Sequence, residues 1–411
     1  MRGFGGIAAI IGLSGFLAAT AVAQTTGKNP SHADILRGFD IAALYADKSQ
    51  GTTGYGSGAT MTGIVAKWTR PVVYRVDGMT YDKARIAETI ASLKRVAAIA
   101  GVSVSEGTEA TANFILVFRN TDNLRSSNGG KAGCLTSWNS HQWTGAFNRA
   151  ELHINLGTRS DLTQCINHEM LHAFGLRGHP HKLHSVMSYY TVRIVFDMTE
   201  ADTVMLQTLY DERMKPGLSR LAAMVLADGI IEEKRRALNP AAPPKTDSTA
   251  LFHDVIADLE VAAKAGSARA LLSLAEAYRF GLSLPKDEAR MQALIAQAAQ
   301  LPDAAQRFDV AYALNNGYFV PQDAAHAASI YRRNADVGHL TSQNNLALLL
   351  RDGKGVPQDM TEALMWFTIA AGKYDLAERN RQSLLPKLTP DIQAAAQQRA
   401  AAWRPAAESV R

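Results

Sequence analysis

The C-terminal part of this 411-residue chain repeats itself at a fixed step of 36 residues. Pro285-Lys286-Asp287, Pro321-Gln322-Asp323 and Pro357-Gln358-Asp359 recur at that step. So do Gly281, Gly317 and Gly353; Ala275, Ala311 and Ala347; Leu274, Val310 and Leu346; and Ile295, Tyr331 and Phe367. A period in the thirties accommodates two helices and their turns. Neither helix can bury its apolar stripe alone, so successive units must stack into an α-solenoid. Proline followed shortly by aspartate suits the start of the second helix. There a missing N–H costs nothing and a carboxylate meets free amides. An ordinary helical bundle would not hold five positions in register through three units.

The Gly…Pro-x-Asp…Ala-Ala pattern resembles Sel1-like repeats, relatives of the tetratricopeptide group. The three clear units span 267–372, with 251–266 as a leading half unit and 392–403 as a closing cap. The resemblance implies a concave surface for a protein partner and no chemistry of its own. Just upstream, Asn239-Pro240-Ala241-Ala242-Pro243-Pro244 has the composition of a linker.

The N-terminus carries a different signal. Arg2 precedes an apolar stretch from Phe4 to Val22, closed by Ala21-Val22-Ala23. A short positive start, an apolar middle and a small-x-small end are the parts of a secretory signal peptide, with cleavage expected after Ala23. Glycines at 3, 5, 6, 12 and 15 weaken the stretch as a retained membrane helix, and no later run is comparably apolar and uncharged. The expected location is periplasmic or secreted, with no stable membrane span after cleavage. In such a compartment Cys134 and Cys165, the 2 cysteines of the chain, are expected to form a disulfide. The net charge of +5 is dispersed, with no Lys/Arg block of the kind nucleic acid requires.

Between these features lies a mixed α/β stretch. Pro71–Val76 and Ala112–Arg119 read as strands, and Tyr81–Ala100 carries a helical period. Residues 120–145, rich in Gly, Ser and Asn, read as loop. Glu151–Leu156 alternates apolar and polar residues, which reads as a half-solvated edge strand.

The chemistry concentrates in His168-Glu169-Met170-Leu171-His172-Ala173-Phe174-Gly175-Leu176-Arg177-Gly178-His179. On a helix, His168 and His172 leave the same face and can grip one Zn²⁺. Glu169, beside the first ligand, is placed to take a proton from an activated water. Ser160 or Asp161 can cap the helix start, and Gly175 can end it with a left-handed turn.

HExxHxxG followed by Ser185-Val186-Met187-Ser188-Tyr189 resembles the metzincin zinc peptidases, whose Met-turn lies under the metal. Met198-Thr199-Glu200-Ala201-Asp202 through Leu206-Gln207-Thr208-Leu209-Tyr210 is similar to the closing helix of the matrix-metalloproteinase type. Secreted bacterial proteins with degenerate forms of the motif share the layout. Metzincins place the third ligand six residues after the second histidine, where this chain has Gly178. His179 comes one residue later and is the first choice as third ligand, with His181 and His184 as competitors.

The resulting expectation is a signal peptide over 1–23 and an α+β metzincin-like zinc domain over 24–215. A helix and Pro-rich linker follow over 216–247, then an all-α helical-repeat solenoid with a C-terminal cap over 248–411. The expected activity is that of a zinc-dependent peptidase (a hydrolase) acting on a protein or peptide. His168, His172 and His179 hold the metal, Glu169 is the catalytic base, and Tyr189 or Tyr190 assists the oxyanion. A substrate strand is expected to pair with the edge at 151–156. The rival reading is an envelope scaffold in which the repeats recruit a protein partner and the metal site is structural or vestigial.

Overall fold

A five-stranded sheet organises the N-terminal half of the protein. The structure is a computed structural model that describes residues 30–44, 63–78, 82–120, 124, 132–157, 162–180, 183–188 and 195–406. The signal-peptide stretch 1–23 lies outside the described residues. The chain divides into two compact units, Met1–Leu251 and Phe252–Arg411.

In the first unit, helix α1 (His32–Phe39) runs on into a π-helical turn, Asp40–Leu44. Then come β1 (Val72–Gly78), α2 (Lys83–Ala100), β2 (Val104–Glu106), β3 (Phe114–Arg119), β4 (Cys134–Ser140) and β5 (Phe147–Asn155). Helices α3 (Thr163–Ala173), α4 (Glu200–Leu209) and α5 (Arg220–Leu238) complete it. The strand order is β2-β1-β3-β5-β4, parallel throughout except for the antiparallel β4–β5 pair. Central β3 is buried from Phe114 to Phe118, as its unbroken apolar run requires. Trp68, Phe114, Phe147 and Phe174 form an aromatic core with ring centroids 5.6–6.3 Å apart. The Trp68 indole N–H donates to the Ala173 carbonyl at 2.9 Å, which ties this core to the end of α3.

Two expectations are corrected here. Glu151–Leu156 is not an edge strand: β5 lies between β3 and β4. Its alternation reports one dry and one wet face, and that pattern carries no information about ladder position. The stretch 120–145 is not all loop, because β4 lies within it and forms the sheet's edge among the described residues. The strand CLTSWNS is polar because it has only one neighbour strand, and its inward residues Cys134 and Thr136 serve the adjoining helix rather than an apolar core. The stretch 216–247, expected as a helix and Pro-rich linker, contains helix α5 over Arg220–Leu238. Helix α5 buries Leu221, Met224, Ala227, Ile230 and Ile231 within the first unit, which extends to Leu251.

Helix α6 (Thr249–Lys264) leads into the second unit and lies mostly within it. The unit pairs α7 (Ala268–Phe280) with α8 (Glu288–Ala299), α9 (Ala304–Asn316) with α10 (Ala324–Asp336), and α11 (Leu340–Asp352) with α12 (Met360–Ala371). Helices α13 (Asp375–Leu384) and α14 (Pro390–Ala402) close it, with Trp403 edge-on to Trp366 at 5.9 Å. The repeated residues explain the geometry. Gly281, Gly317 and Gly353 end the first helix of each pair with φ of 74°, 74° and 65°. Asp287, Asp323 and Asp359 are the N-caps of the second helices, accepting from Arg290, His326 and Glu362 amides at 2.8–2.9 Å. Ala275, Ala311 and Ala347 are fully buried.

Candidate metal centre

Helix α3 carries His168 and His172 on one face, and the chain beyond it returns His179 to them. The Nε2 atoms of His168 and His172 each lie 3.2 Å from His179 Nε2. All three side chains are buried, and their ligand atoms lie within 4.8 Å of one another. Of the three candidates for third ligand, His179 joins the cluster. His184 does not, and His181 lies outside the described residues.

The other ring nitrogens fix the protonation. His168 Nδ1 meets the Val186 carbonyl at 2.8 Å, and His172 Nδ1 meets the Leu176 carbonyl at 2.6 Å. A carbonyl oxygen only accepts, so each Nδ1 carries the hydrogen and each Nε2 presents a lone pair to the cluster. His179 Nε2 can donate a hydrogen to at most one of them, whereas one cation would accept a lone pair from all three rings. A second proton on His172 is disfavoured, because burial, followed by the neighbouring His168 and His179, holds its pKa well below the ordinary range. Tetrahedral zinc with Zn–N of about 2.05 Å separates its nitrogens by about 3.3 Å. The observed 3.2 Å spacings therefore fit such an ion.

Each support has a local cause. Gly175, at φ 102°, ends α3 in a Schellman turn, with Leu176 N–H donating to Leu171 and Gly175 N–H to His172. That turn brings the Leu176 carbonyl back under His172. A Cβ on Gly175 would lie 2.4 Å from the Ala66 carbonyl oxygen, so no other residue fits. The Val186 carbonyl that orients His168 belongs to the turn holding the buried Met187. This turn hangs on Asp202, whose carboxylate accepts from Val186 N–H at 3.0 Å and from the Ser185 hydroxyl. Asp202 also closes the capping box of α4 with Thr199. Burial pushes the Asp202 carboxyl above its usual range against four opposing hydrogen bonds.

Glu169 faces the edge strand. Its carboxylate accepts the Thr136 N–H at 2.8 Å, while the Thr136 hydroxyl donates to the Glu169 carbonyl at 2.8 Å. The Trp138 ring stacks at 30° to His172, 6.2 Å away. A disulfide joins Cys134 at the start of β4 to Cys165 on the first turn of α3, stapling edge strand to ligand helix. Helix α3 starts at Leu162 without a side-chain cap; Ser160 and Asp161 lie outside the described residues. So do Tyr189 and Tyr190, the expected oxyanion partners. Thr136, Trp138 and the anchoring role of Asp202 were not legible beforehand. The first two lie in the stretch read as loop, where CLTSWNS carries no period-2 alternation to mark a strand.

Comparison with known proteins separates the two halves. The family profile described as "Protein of unknown function (DUF2927)" matches residues 32–226, from the start of α1 into α5. The Sel1 repeat profile matches 268–302, 307–339 and 340–375, one match for each of three successive units. The second unit is built of Sel1 repeats. A crystallised Sel1 repeat protein from Oxalobacter formigenes is 24% identical, covering 31% of this chain and 97% of its own, with a TM-score of 0.24. The protective antigen c5321 of uropathogenic Escherichia coli strains, which displays an SLR fold, is 18% identical. That match covers 58% of this chain and 53% of the antigen, about half its length, with a TM-score of 0.26. No curated protein matches the chain. Among the described residues, no helix is long and apolar enough to cross a membrane.

Proposed function

We propose that the first unit is a zinc-dependent peptidase of metzincin-like design and that the Sel1 unit holds a protein substrate or partner. The observation that carries this reading is the convergence of three buried Nε2 atoms, two of them oriented by carbonyls at Nδ1, on the helix that also bears Glu169. Zinc bound there would supply a Lewis acid that polarises the scissile carbonyl and acidifies water. Glu169 would take a proton as the water oxygen bonds to the carbonyl carbon, and would return it to the amine nitrogen as the C–N bond breaks. The Thr136 amide holds the Glu169 carboxylate against β4.

The substrate strand is reassigned from β5 to β4. Asn155 N–H donates to the Gly133 carbonyl, so alternation turns the backbone groups of Leu135, Ser137 and Asn139 toward β5. The Thr136 carbonyl then points outward, where an extended peptide can add. The disulfide supports a periplasmic or secreted setting.

The scaffold reading has one observation of its own: Glu169 already engages the edge strand at both carboxylate and carbonyl, as a purely structural residue would. Metal analysis of the full chain and hydrolysis of an unfolded protein separate the two. The peptidase reading expects about one zinc per chain and activity lost in Glu169→Gln with zinc retained. Retained zinc with no hydrolysis by the wild type would leave the scaffold.

A further inference from the structure

The third ligand is held by a part of the chain far from it in sequence. His179 follows Arg177 and Gly178, and both of these are pinned to the π-helical turn Asp40–Leu44. The N–H groups of Arg177 and Gly178 donate to the same Ala42 carbonyl at 2.5 and 3.0 Å. The buried Arg177 guanidinium donates to the Ala43 and Ile64 carbonyls, each at 2.9 Å. A Cβ on Gly178 would stand 2.1 Å from the Ile41 carbonyl oxygen, so the loop can approach the turn only with glycine there.

The turn in its turn has one strong anchor. Asp40 accepts a bidentate pair from Arg220 on α5, Nε to Oδ1 and Nη2 to Oδ2, both at 2.7 Å. Their side chains are only 5% and 12% exposed, so loss of either partner leaves a charge poorly hydrated. Asp40 and Arg220 are not themselves members of the histidine cluster. They fix the turn that fixes the loop that carries His179.

We infer that the Asp40–Arg220 ion pair is a positioning device for the third metal ligand, and that docking of segment 32–44 sets the affinity of the site for a divalent cation. With the segment docked, three imidazoles converge. With it released, the Arg177–Gly178 loop loses its carbonyl partners and the site falls back to His168 and His172. The inference rests on the metal-centre reading and adds to it a control exerted from outside the histidine motif.

The test uses the full chain with zinc and cobalt as probes. Zinc affinity is measured by competition with a chromophoric chelator in wild type, Asp40→Asn, Arg220→Met and His179→Ala, and apo stability is measured in parallel by melting in EDTA. Asp40→Asn and Arg220→Met should bind zinc about 10- to 100-fold more weakly, the range expected for groups that orient ligands. The visible absorption of their cobalt forms should shift toward that of His179→Ala, a signature that mere loss of stability would not produce. Zinc affinity within about twofold of wild type in folded variants, or an unchanged cobalt spectrum, overturns the inference while the metal centre stands. If Asp40→Asn does not fold, Arg220→Lys keeps the charge but not the fork, and wild-type zinc affinity in that variant likewise overturns it. A wild type that takes up no zinc removes both readings together.

Discussion

The two halves of this protein achieve order by opposite means. In the Sel1 unit the features that shape each helical pair are local and used three times: a left-handed glycine, an aspartate cap, a small alanine between helices. In the first unit the decisive contacts are each used once and span long stretches of chain. Ala42 meets Gly178, Thr136 meets Glu169, and Asp202 meets Val186. A repetitive design tolerates a flaw in one unit, whereas a convergent one depends on every support arriving together.

That contrast can be tested by perturbations whose effects should stay within one half. The largest is metal. Zinc at a thousandfold excess over its Kd should stabilise the first unit by about 4 kcal/mol, raising its calorimetric transition and leaving the Sel1 transition in place. A zinc-dependent shift of the Sel1 transition would break the comparison. Next is the staple. Replacing Cys134 and Cys165 by serine opens a closed loop of sequence separation 31 and should cost the first unit about 3–4 kcal/mol in denaturant titration. An unchanged midpoint would show that β4 and α3 hold without it.

Acid should also discriminate. Burial keeps His172 neutral in the folded state, with its pKa below the unfolded value of about 6.5. Below that pH the unfolded chain binds a proton that the folded chain refuses. The metal-free first unit should therefore lose about 1.4 kcal/mol per pH unit from this group as pH falls from about 6.5 toward the folded value. His172→Gln should flatten that slope in pH-dependent melting.

The smallest effect lies in the repeats. Ser283 and Phe319 adopt φ of 56° and 65° at the position where the third unit has Gly355. Ser283→Gly should stabilise the Sel1 unit by about 0.5 kcal/mol, the relief of a left-handed residue less the entropy of glycine. A loss of stability would show that the serine is not strained.

This asymmetry governs how much of each half could be read in advance. The solenoid was legible down to its caps, because every rule it uses acts within a few residues and is repeated. The pairing of His168 with His172, Glu169 between them and the Gly175 turn were legible for the same reason, being set by one helix and its end. The edge strand was not. Alternation in β5 reveals its faces but not its neighbours, and the polarity of β4 hid a strand whose inward residues support a site. Spacing and Gly178 make His179 the first choice over His181 and His184 but do not show how it reaches the cluster. That reach depends on a backbone contact between Ile41 and Gly178, residues with no pattern in common.

The aspartate caps of the repeats have one more consequence. Asp287, Asp323 and Asp359 each also donate a backbone N–H nine residues back, to Tyr278, Leu314 and Leu350 at 2.8–3.0 Å. Each helical pair thus carries its own backbone latch between the second helix's cap and the first helix. A gene duplication or deletion of one 36-residue module would leave every remaining latch intact. The reach of the binding surface can therefore change in whole steps over evolutionary time, while the metal-site half, with its single-use pins, has no such freedom.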